Sequence, residues 1–251
     1  TAAACFESNV GSLFAADTLT IATGNPAYSP WYGGAATPQG GEWEVSDFTG
    51  DPYSGEGFES AFAYELASRL GLAPEQVAWI GIPFGKSFAP GPKDFDFAMQ
   101  QISITAKRSQ AVDFSVGYFD VNQALIANEG SPAIGATTIA ELKGLRLGAP
   151  VGTTSLAVIQ DVVQPDVEPS VYDDLDTALK DLRNGQLDGV VVDFPTAFYG
   201  YADVVVGQFA PTGGEQEQFG LAFELGNPIR GCVDQAIEEM RADARGHEKV
   251  G

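Results

Sequence analysis

The sequence contains few of the residues that carry metal or nucleophilic chemistry. It has two cysteines, Cys5 and Cys232, and one histidine, His247, close to its end. There is no CxxC pair and no cysteine–histidine cluster, so zinc ligation and Cys–His or Ser–His catalysis have little support. We therefore expect no metal and no cofactor.

Positive charge and long hydrophobic runs are also scarce. The 251 residues include 13 Lys and Arg against 34 Asp and Glu, which gives a formal net charge of −21. Phosphate backbones and anionic lipid surfaces would repel this chain, so nucleic acid and membrane surfaces are poor partners for it. No apolar run approaches the roughly 18 to 20 residues that cross a bilayer. No signal peptide stands at Thr1, so a secreted protein would be seen here in its mature form or as a trimmed piece.

What the chain does contain is a regular alternation of short strands and helices. Alternating β-branched residues predict a strand over 18–23. Between 123 and 218 the order strand, helix, strand, helix, strand predicts a parallel sheet with crossover helices. Helical spacing predicts a helix from 58 to about 70. The apolar face predicted for that helix consists of Phe58, Ala61, Phe62, Leu66 and Leu70.

The most informative stretch follows a Gly/Pro loop and begins at Asp96. An apolar run predicts a short buried strand, and it ends in Ser103, Thr105 and Arg108. An Arg side chain presents a planar fork of donors that fits a carboxylate, and a nearby hydroxyl adds a further donor. The pattern is consistent with a carboxylate clamp; the alternative is a surface arginine in an ordinary loop.

Other candidates follow from the rule that open parallel sheets bind ligands beyond the carboxyl ends of their strands. Thr153 and Thr154 open a helix whose N–H groups suit an anion, although ordinary N-capping explains them equally well. Asp193 ends an apolar strand, where it either binds a cation or caps the next helix. Three aromatic residues near strand ends are candidate ligand platforms or simply core: Tyr28, Trp31 and Phe84.

The segment around Arg108 resembles the signature of the bacterial extracellular solute-binding proteins that take polar amino acids, the ligand-capturing subunits of ABC importers. The resemblance covers Thr18 to about Arg241 and is carried by Ile102-Ser103-Ile104-Thr105, Arg108 and Val112-Asp113-Phe114-Ser115. It implies an α/β fold of the type II periplasmic-binding-protein class, with two lobes and a ligand cleft between them. The predicted lobes are residues 1–122 plus 219–251, and an inserted lobe of residues 123–218.

The resemblance also implies roles for the candidate residues. Arg108, Ser103 and Thr154, beside Thr153, would hold the ligand carboxylate, and Asp193 would pair with its ammonium group. Tyr28, Trp31 and Phe84 would pack around the ligand, and Gln101 would face the pocket. The family usually has Gly-Phe-Asp where this chain has Gly57-Phe58-Glu59, and there the Asp caps the helix. Relatives that bind basic amino acids place an acid just after the first strand, where this chain has Gly24, so we expect a neutral or polar amino acid.

The two cysteines allow three interpretations on residue chemistry: small buried hydrophobes, a disulfide, or lipidation of Cys5. Similar secreted relatives carry a comparable pair, so the resemblance implies a Cys5–Cys232 disulfide. It also implies a secreted, periplasmic or cell-surface protein that has lost its signal peptide.

The functional hypothesis is capture of a free amino acid by lobe closure and delivery to the permease subunits of an ABC importer, with the protein acting as a monomer. Two alternatives remain. One is a dehydratase acting on arogenate or prephenate, for which Glu59 and Asp193 are the only candidate acids. The other is a sensor domain that reports to a receptor.

Overall fold

A computed structural model describes residues 1–199, 201–211 and 214–248. The chain divides into two compact units. Unit 1 comprises Thr1–Phe119 and Gln218–Gly251, and unit 2 comprises Asp120–Glu217. The lobe boundaries predicted from the sequence, at 122/123 and 218/219, lie close to this division.

Strands and helices alternate as the sequence indicates, with several short additions. The strands are β1 (Leu19–Thr23), β2 (Ala27–Tyr28), β3 (Thr49–Gly50), β4 (Val77–Gly81), β5 (Phe97–Ala98), β6 (Asp113–Phe114), β7 (Phe119–Val121), β8 (Gln123–Ala127), β9 (Leu147–Pro150), β10 (Ser170–Tyr172), β11 (Gly189–Asp193), β12 (Val204–Gln208), β13 (Glu217–Phe219) and β14 (Ala222–Phe223). The helices are α1 (Ala2–Glu7), α2 (Phe58–Arg69), α3 (Ile139–Leu142), α4 (Thr154–Ala157), α5 (Leu175–Arg183), α6 (Phe194–Ala197) and α7 (Arg230–Glu248).

The main sheet of unit 1 has the order β4-β1-β5-β14-β6. β1 pairs in parallel with β4 and β5, whereas β14 is antiparallel to β5 and β6. All five residues of β1 are buried, as are both residues of β5. The carboxyl ends of β1, β4 and β5 therefore lie at one edge of this sheet, where the chain continues toward Gly24, Phe84 and Gln101.

The N-terminal segment, which has no clear pattern in the sequence, forms α1 and packs on α7. α1 buries Ala2 and Phe6. The predicted disulfide is confirmed, because Cys5 and Cys232 are bonded with a Cα–Cα distance of 5.4 Å. Around the start of α7 and along it, the buried residues are Ile229, Cys232, Val233, Ala236 and Ile237. In the described part of the chain, no helix has the length and hydrophobicity needed to cross a membrane.

Helix α2 lies where it is predicted, and Leu66 and Leu70 of its predicted apolar face are buried, but the first part of that face is wrong. The buried residues are Glu59, Ser60, Ala63, Leu66 and Ala67, whereas Phe58 is 40% exposed. The N-cap is Gly57 and no side chain caps the helix, so Glu59 does not take the capping role that the resemblance gives to the family's Asp. The first N–H groups donate instead to backbone carbonyls, Phe58 to Pro30 at 3.1 Å and Glu59 to Trp31 at 2.9 Å.

Glycine is required at this N-cap. Gly57 has φ +88°, and a Cβ there would lie 2.6 Å from the carbonyl oxygen of Trp31. The tight approach brings the start of α2 against the aromatic loop that follows β1, and it directs Glu59 into the interior.

The sheet of unit 2 has the order β10-β9-β11-β8-β12 and is mixed rather than parallel, which corrects the prediction. β9, β10 and β11 are parallel, but β8 runs antiparallel to both β11 and β12. β10 and β12 are additions that the sequence analysis lacks. Alternate residues of β8 serve two cores: Leu125 and Ala127 face one cluster, Ala124 and Ile126 the other.

The chain passes between the units twice, through neighbouring strands. β7 pairs with β13 in a two-stranded sheet, and the N–H of Tyr118 donates to the carbonyl of Phe219 at 2.8 Å. The chain therefore enters and leaves unit 2 at adjacent positions.

Candidate functional site

Arg108 is a buried cation in unit 1, held by a carbonyl and two aromatic rings. Arg108 is the first residue of a single helical turn at 108–110, and it is 7% exposed. Nη1 donates to the carbonyl oxygen of Ser103 at 2.7 Å. The guanidinium carbon lies 5.3 Å from the ring centroid of Phe84 and 4.4 Å from that of Phe88. Such burial excludes the alternative of an ordinary surface arginine, since two aromatic rings and a carbonyl enclose the guanidinium.

The turn that leads to Ser103 and Arg108 is unusual at Gln101, which has φ +49°. Its N–H donates to Glu59 Oε1 at 2.9 Å, and its side-chain amide donates to Glu59 Oε2. The Tyr118 hydroxyl also donates to Glu59 Oε1. The structure thus places the Gln101 amide on Glu59, while direct contact of Gln101 with a ligand stays a prediction.

Burial dominates the electrostatics of this acid. Glu59 is fully buried, and desolvation raises the pKa of its carboxyl, while the hydrogen bonds from Tyr118 and Gln101 counteract part of the rise. Desolvation, with the neighbouring Glu59 charge, also raises the pKa of Tyr32 well above its ordinary value. Glu59 is therefore an internal anchor with its oxygens occupied by donors, which is poor geometry for a catalytic acid.

The three candidate aromatic residues have different surroundings. Trp31 is 1% exposed and makes edge-on contacts with Phe58, Phe119 and Phe219 at centroid distances of 6.0, 5.1 and 5.3 Å. Its burial is what the core alternative predicts. Tyr28 lies in β2, which pairs with β3. Phe84 lies against Arg108, so of the three it is the residue tied most directly to the candidate carboxylate clamp.

The candidate residues of unit 2 meet at Gln123, the first residue of β8. Gln123 is 2% exposed. Its Nε2 lies 2.9 Å from Asp193 Oδ1, 3.4 Å from Thr154 Oγ1 and 3.2 Å from Glu217 Oε1. Its Oε1 accepts a hydrogen bond from Ser155 Oγ at 2.6 Å. One buried amide therefore joins residues from β11, the start of α4 and the return strand β13.

Thr153 and Asp193 settle two of the alternatives left by the sequence. Thr153 is the N-cap of α4: its Oγ1 accepts from the N–H of Leu156 at 3.1 Å and donates to the carbonyl of Pro150 at 2.7 Å. Ordinary capping therefore explains its hydroxyl. Asp193 precedes α6 but makes no side-chain cap, so helix capping does not account for its carboxylate.

Sequence reasoning missed Gln123 and Glu217. Gln123 is the first residue of β8 and Glu217 the first of β13. Neither carries a local motif, and they are 94 residues apart. A small pocket opens beside them, lined also by Val121, Asn122, Val158 and Phe209. Among the described residues, no group of three or more His, Cys, Asp or Glu is arranged to hold a metal ion.

Comparison with known proteins identifies the family. The sequence profile of the bacterial extracellular solute-binding proteins, family 3, matches residues 43–248. The L-cystine-binding protein TcyJ of Escherichia coli strain K12 is 31% identical over 214 residues, which cover 81% of this chain and 76% of that protein. The histidine-binding periplasmic protein of Salmonella typhimurium strain LT2 is 29% identical over 77% of this chain and 76% of that protein.

The fold is shared with solved structures. An ancestral arginine-binding protein bound to arginine superposes with a TM-score of 0.72 at 24% identity, over 91% of this chain and 94% of that chain. The α/β, two-lobe fold class predicted from the sequence, that of the type II periplasmic amino-acid-binding proteins, is confirmed.

Proposed function

Because the chain belongs to the bacterial extracellular solute-binding proteins of family 3, we propose that it captures a free amino acid outside the cell membrane and delivers it to an ABC importer. The observation that carries this proposal is the similarity, over more than three quarters of the chain, to proteins that bind cystine and histidine. The proposed location is the periplasm or the cell surface, after removal of a signal peptide.

The two halves of a zwitterionic ligand fit the charges of the two units. In the proposed mechanism Arg108 and Ser103 of unit 1 hold the carboxylate, because a guanidinium fork makes two parallel hydrogen bonds with it. Thr154 of unit 2 adds a hydroxyl donor to the carboxylate, and Asp193 of unit 2 pairs with the ammonium group. Lobe closure follows from binding, since a ligand shifts the equilibrium toward the state in which it makes more contacts.

The proposed ligand class is a neutral or polar amino acid. Gly24 stands where basic-ligand relatives place an acid, and a side chain there would have to displace the Gln100 amide, since a Cβ would lie 2.5 Å from Gln100 Nε2. Asn25 is engaged in its own loop, where Nδ2 donates to the carbonyl of Glu42 at 2.8 Å. Glu217 adds a carboxylate beside Asp193 that the sequence analysis did not anticipate, so cationic amino acids belong in the test.

The test is a thermal-shift screen of the amino acids, including cystine, followed by calorimetry with glutamine, histidine, glutamate, arginine and lysine. A ligand at a thousandfold excess over Kd stabilises the protein by about 4 kcal/mol. We expect a neutral or polar amino acid to bind at least tenfold more tightly than arginine or lysine, a difference of about 1.4 kcal/mol. Tightest binding by arginine or lysine would reverse the ligand class, and no stabilisation by any amino acid would refute the proposed function.

Binding is favoured over dehydratase catalysis, because the curated relatives are amino-acid-binding proteins. A prephenate-turnover assay separates the two. We further propose that the protein is a monomer and that its partners are permease subunits. Light scattering measures the first, and ligand-dependent ATP hydrolysis by the reconstituted importer measures the second. Binding without any effect on an importer would favour the sensor alternative.

A further inference from the structure

Glu59 is buried in the first turn of α2, where it neither caps the helix nor faces solvent. No Lys or Arg of the described chain lies within ion-pair distance of it. A carboxylate buried in this way is costly unless donors surround it. The donors are the backbone and side chain of Gln101 and the hydroxyl of Tyr118, with the Tyr32 hydroxyl also beside the carboxyl.

Two of the contacts go to the same residue. Glu59 Oε1 accepts the backbone N–H of Gln101 at 2.9 Å, and Oε2 accepts its side-chain amide. Gln101 has φ +49°, a conformation that residues other than glycine adopt infrequently. A carboxylate that grips both the backbone and the side chain of one residue fixes that conformation.

The turn at Gln101 determines where the next residues lie. Ile102 is fully buried, and the Ser103 carbonyl that follows receives Nη1 of Arg108 at 2.7 Å. A continuous series of contacts thus runs from Glu59 through Gln101 to the arginine. If Gln101 relaxed to a negative φ, the direction of the chain at Ser103 would change and the guanidinium would lose its carbonyl.

We infer that Glu59 is a positioning residue for the amino-acid site, whose carboxyl holds the left-handed turn at Gln101 and thereby sets the Ser103 carbonyl and the Arg108 guanidinium. This inference rests on the proposed function, because it assigns Arg108 to the ligand. Glu59 itself touches no ligand in it.

The first variant is Glu59→Gln. The new amide has one acceptor oxygen, and its NH2 group faces the donors of Gln101. The turn at Gln101 therefore loses at least one of the two hydrogen bonds that hold it. We expect the Kd for the amino acid found in the screen to rise about tenfold or more. In the ligand-free protein we expect faster amide hydrogen exchange over residues 101–108.

The decisive variant is a rescue. Glycine adopts a positive φ without strain, so Gln101→Gly should make the turn independent of Glu59. We expect Glu59→Gln combined with Gln101→Gly to bind within about threefold of Gln101→Gly alone, a non-additivity that shows coupling. The matched control is Ser60→Ala on the same helix turn, which removes a buried hydrogen bond to the Pro52 carbonyl of 2.6 Å. This control should lower Tm and leave both Kd and exchange at 101–108 unchanged.

The outcomes separate the two proposals. If the wild-type protein binds no amino acid, the proposed function fails, and exchange at 101–108 in the ligand-free variants still decides the positioning role. Unchanged exchange and Kd in Glu59→Gln, or a loss that Gln101→Gly does not rescue, would overturn the inference. If Glu59→Gln does not fold, Gln101→Ala and Gln101→Gly replace it. Alanine at a positive φ should weaken binding more than glycine does at the same position, and equal effects would overturn the inference.

Discussion

Units 1 and 2 build their candidate ligand groups from the same kinds of side chain with the roles exchanged. In unit 1 one buried carboxylate, Glu59, collects donors from Gln101 and Tyr118. In unit 2 one buried amide, Gln123, meets the carboxylates of Asp193 and Glu217. In unit 1 the buried carboxylate of Glu59 is therefore an internal support, and the candidate ligand group is the cation of Arg108. In unit 2 the candidate ligand group is itself a carboxylate, that of Asp193.

This difference between the units matters because the pKa of a buried acid depends on the groups around it. Glu59 is surrounded by neutral donors, and desolvation raises its pKa. Asp188 of unit 2 forms an ion pair with Arg146, Nη2 to Oδ1 at 2.6 Å, and the arginine lowers its pKa. A buried acid can therefore be tolerated in two ways, and each leaves a different dependence on pH.

The largest expected effect concerns covalent closure, which only unit 1 has, since both cysteines belong to it. Replacing Cys5 and Cys232 with serine should lower the free energy of unfolding by on the order of 5 kcal/mol in the chain-entropy model. Urea denaturation with and without reductant measures it, and the double variant is the control that should not respond to reductant. If reductant does not lower the urea midpoint of the wild-type protein, the prediction is contradicted.

Next in size is the loss of the unit 1 cation. Arg108→Ala should abolish detectable binding while the fold persists, because a ligand carboxylate left without its partner costs about 2 to 5 kcal/mol. Arg108→Lys should also bind poorly, since an ammonium cannot reproduce the planar fork. Calorimetry measures the Kd and circular dichroism controls for folding. Wild-type affinity in either variant would refute the assignment of Arg108 to a carboxylate clamp.

A smaller effect is expected for the unit 2 anion. Asp193→Asn should weaken binding by about 1.5 to 3 kcal/mol, the range for hydrogen bonds to charged groups. Glu217→Gln is the matched variant on the same amide and should cost less, because Asp193 is the acid assigned to the ligand. A larger loss from Glu217→Gln would exchange the roles of the two acids.

The smallest effect compares the two buried acids through pH. The folded-state pKa of Glu59 is raised, so its stability contribution falls as pH increases from the unfolded pKa through the folded pKa. Relative to wild type, Glu59→Gln should therefore gain stability as pH rises across that window.

The folded-state pKa of Asp188 is lowered, so Asp188→Asn should be destabilised above the unfolded pKa. The difference from wild type should fade as pH falls through the folded pKa. Urea midpoints between pH 3 and 8 test both, each pKa unit being worth about 1.4 kcal/mol; slopes of the same sign would refute the contrast.

Much of the fold is predictable because local patterns agree with it. β1 and α2 lie where alternation and helical spacing predict them. The phase of α2 is not predictable from hydrophobicity, because an acid, Glu59, is fully buried while Phe58 is 40% exposed. The direction of β8 is set by its pairing with β11 and β12, which no local pattern encodes.

The candidate site divides in the same way. Strand ends and the family resemblance identify Arg108 and Asp193, since each directly follows or ends an apolar run. Gln123 and Glu217 escape such reasoning, because their importance comes from convergence of segments far apart in the chain. Glu59 is visible in the sequence only as a departure from the family pattern, and its buried partners supply the meaning of that departure.

The pairing of β7 with β13 has a consequence for how this architecture can change over time. Because the chain enters and leaves unit 2 on neighbouring strands, the whole of Asp120–Glu217 is a cassette with adjacent ends. Recombination can replace such a cassette without changing the path of the chain in unit 1, whose first and last helices are joined by the Cys5–Cys232 disulfide. A family built in this way can acquire a new set of unit 2 side chains in one genetic event, while Arg108 and the turn at Gln101 are inherited unchanged.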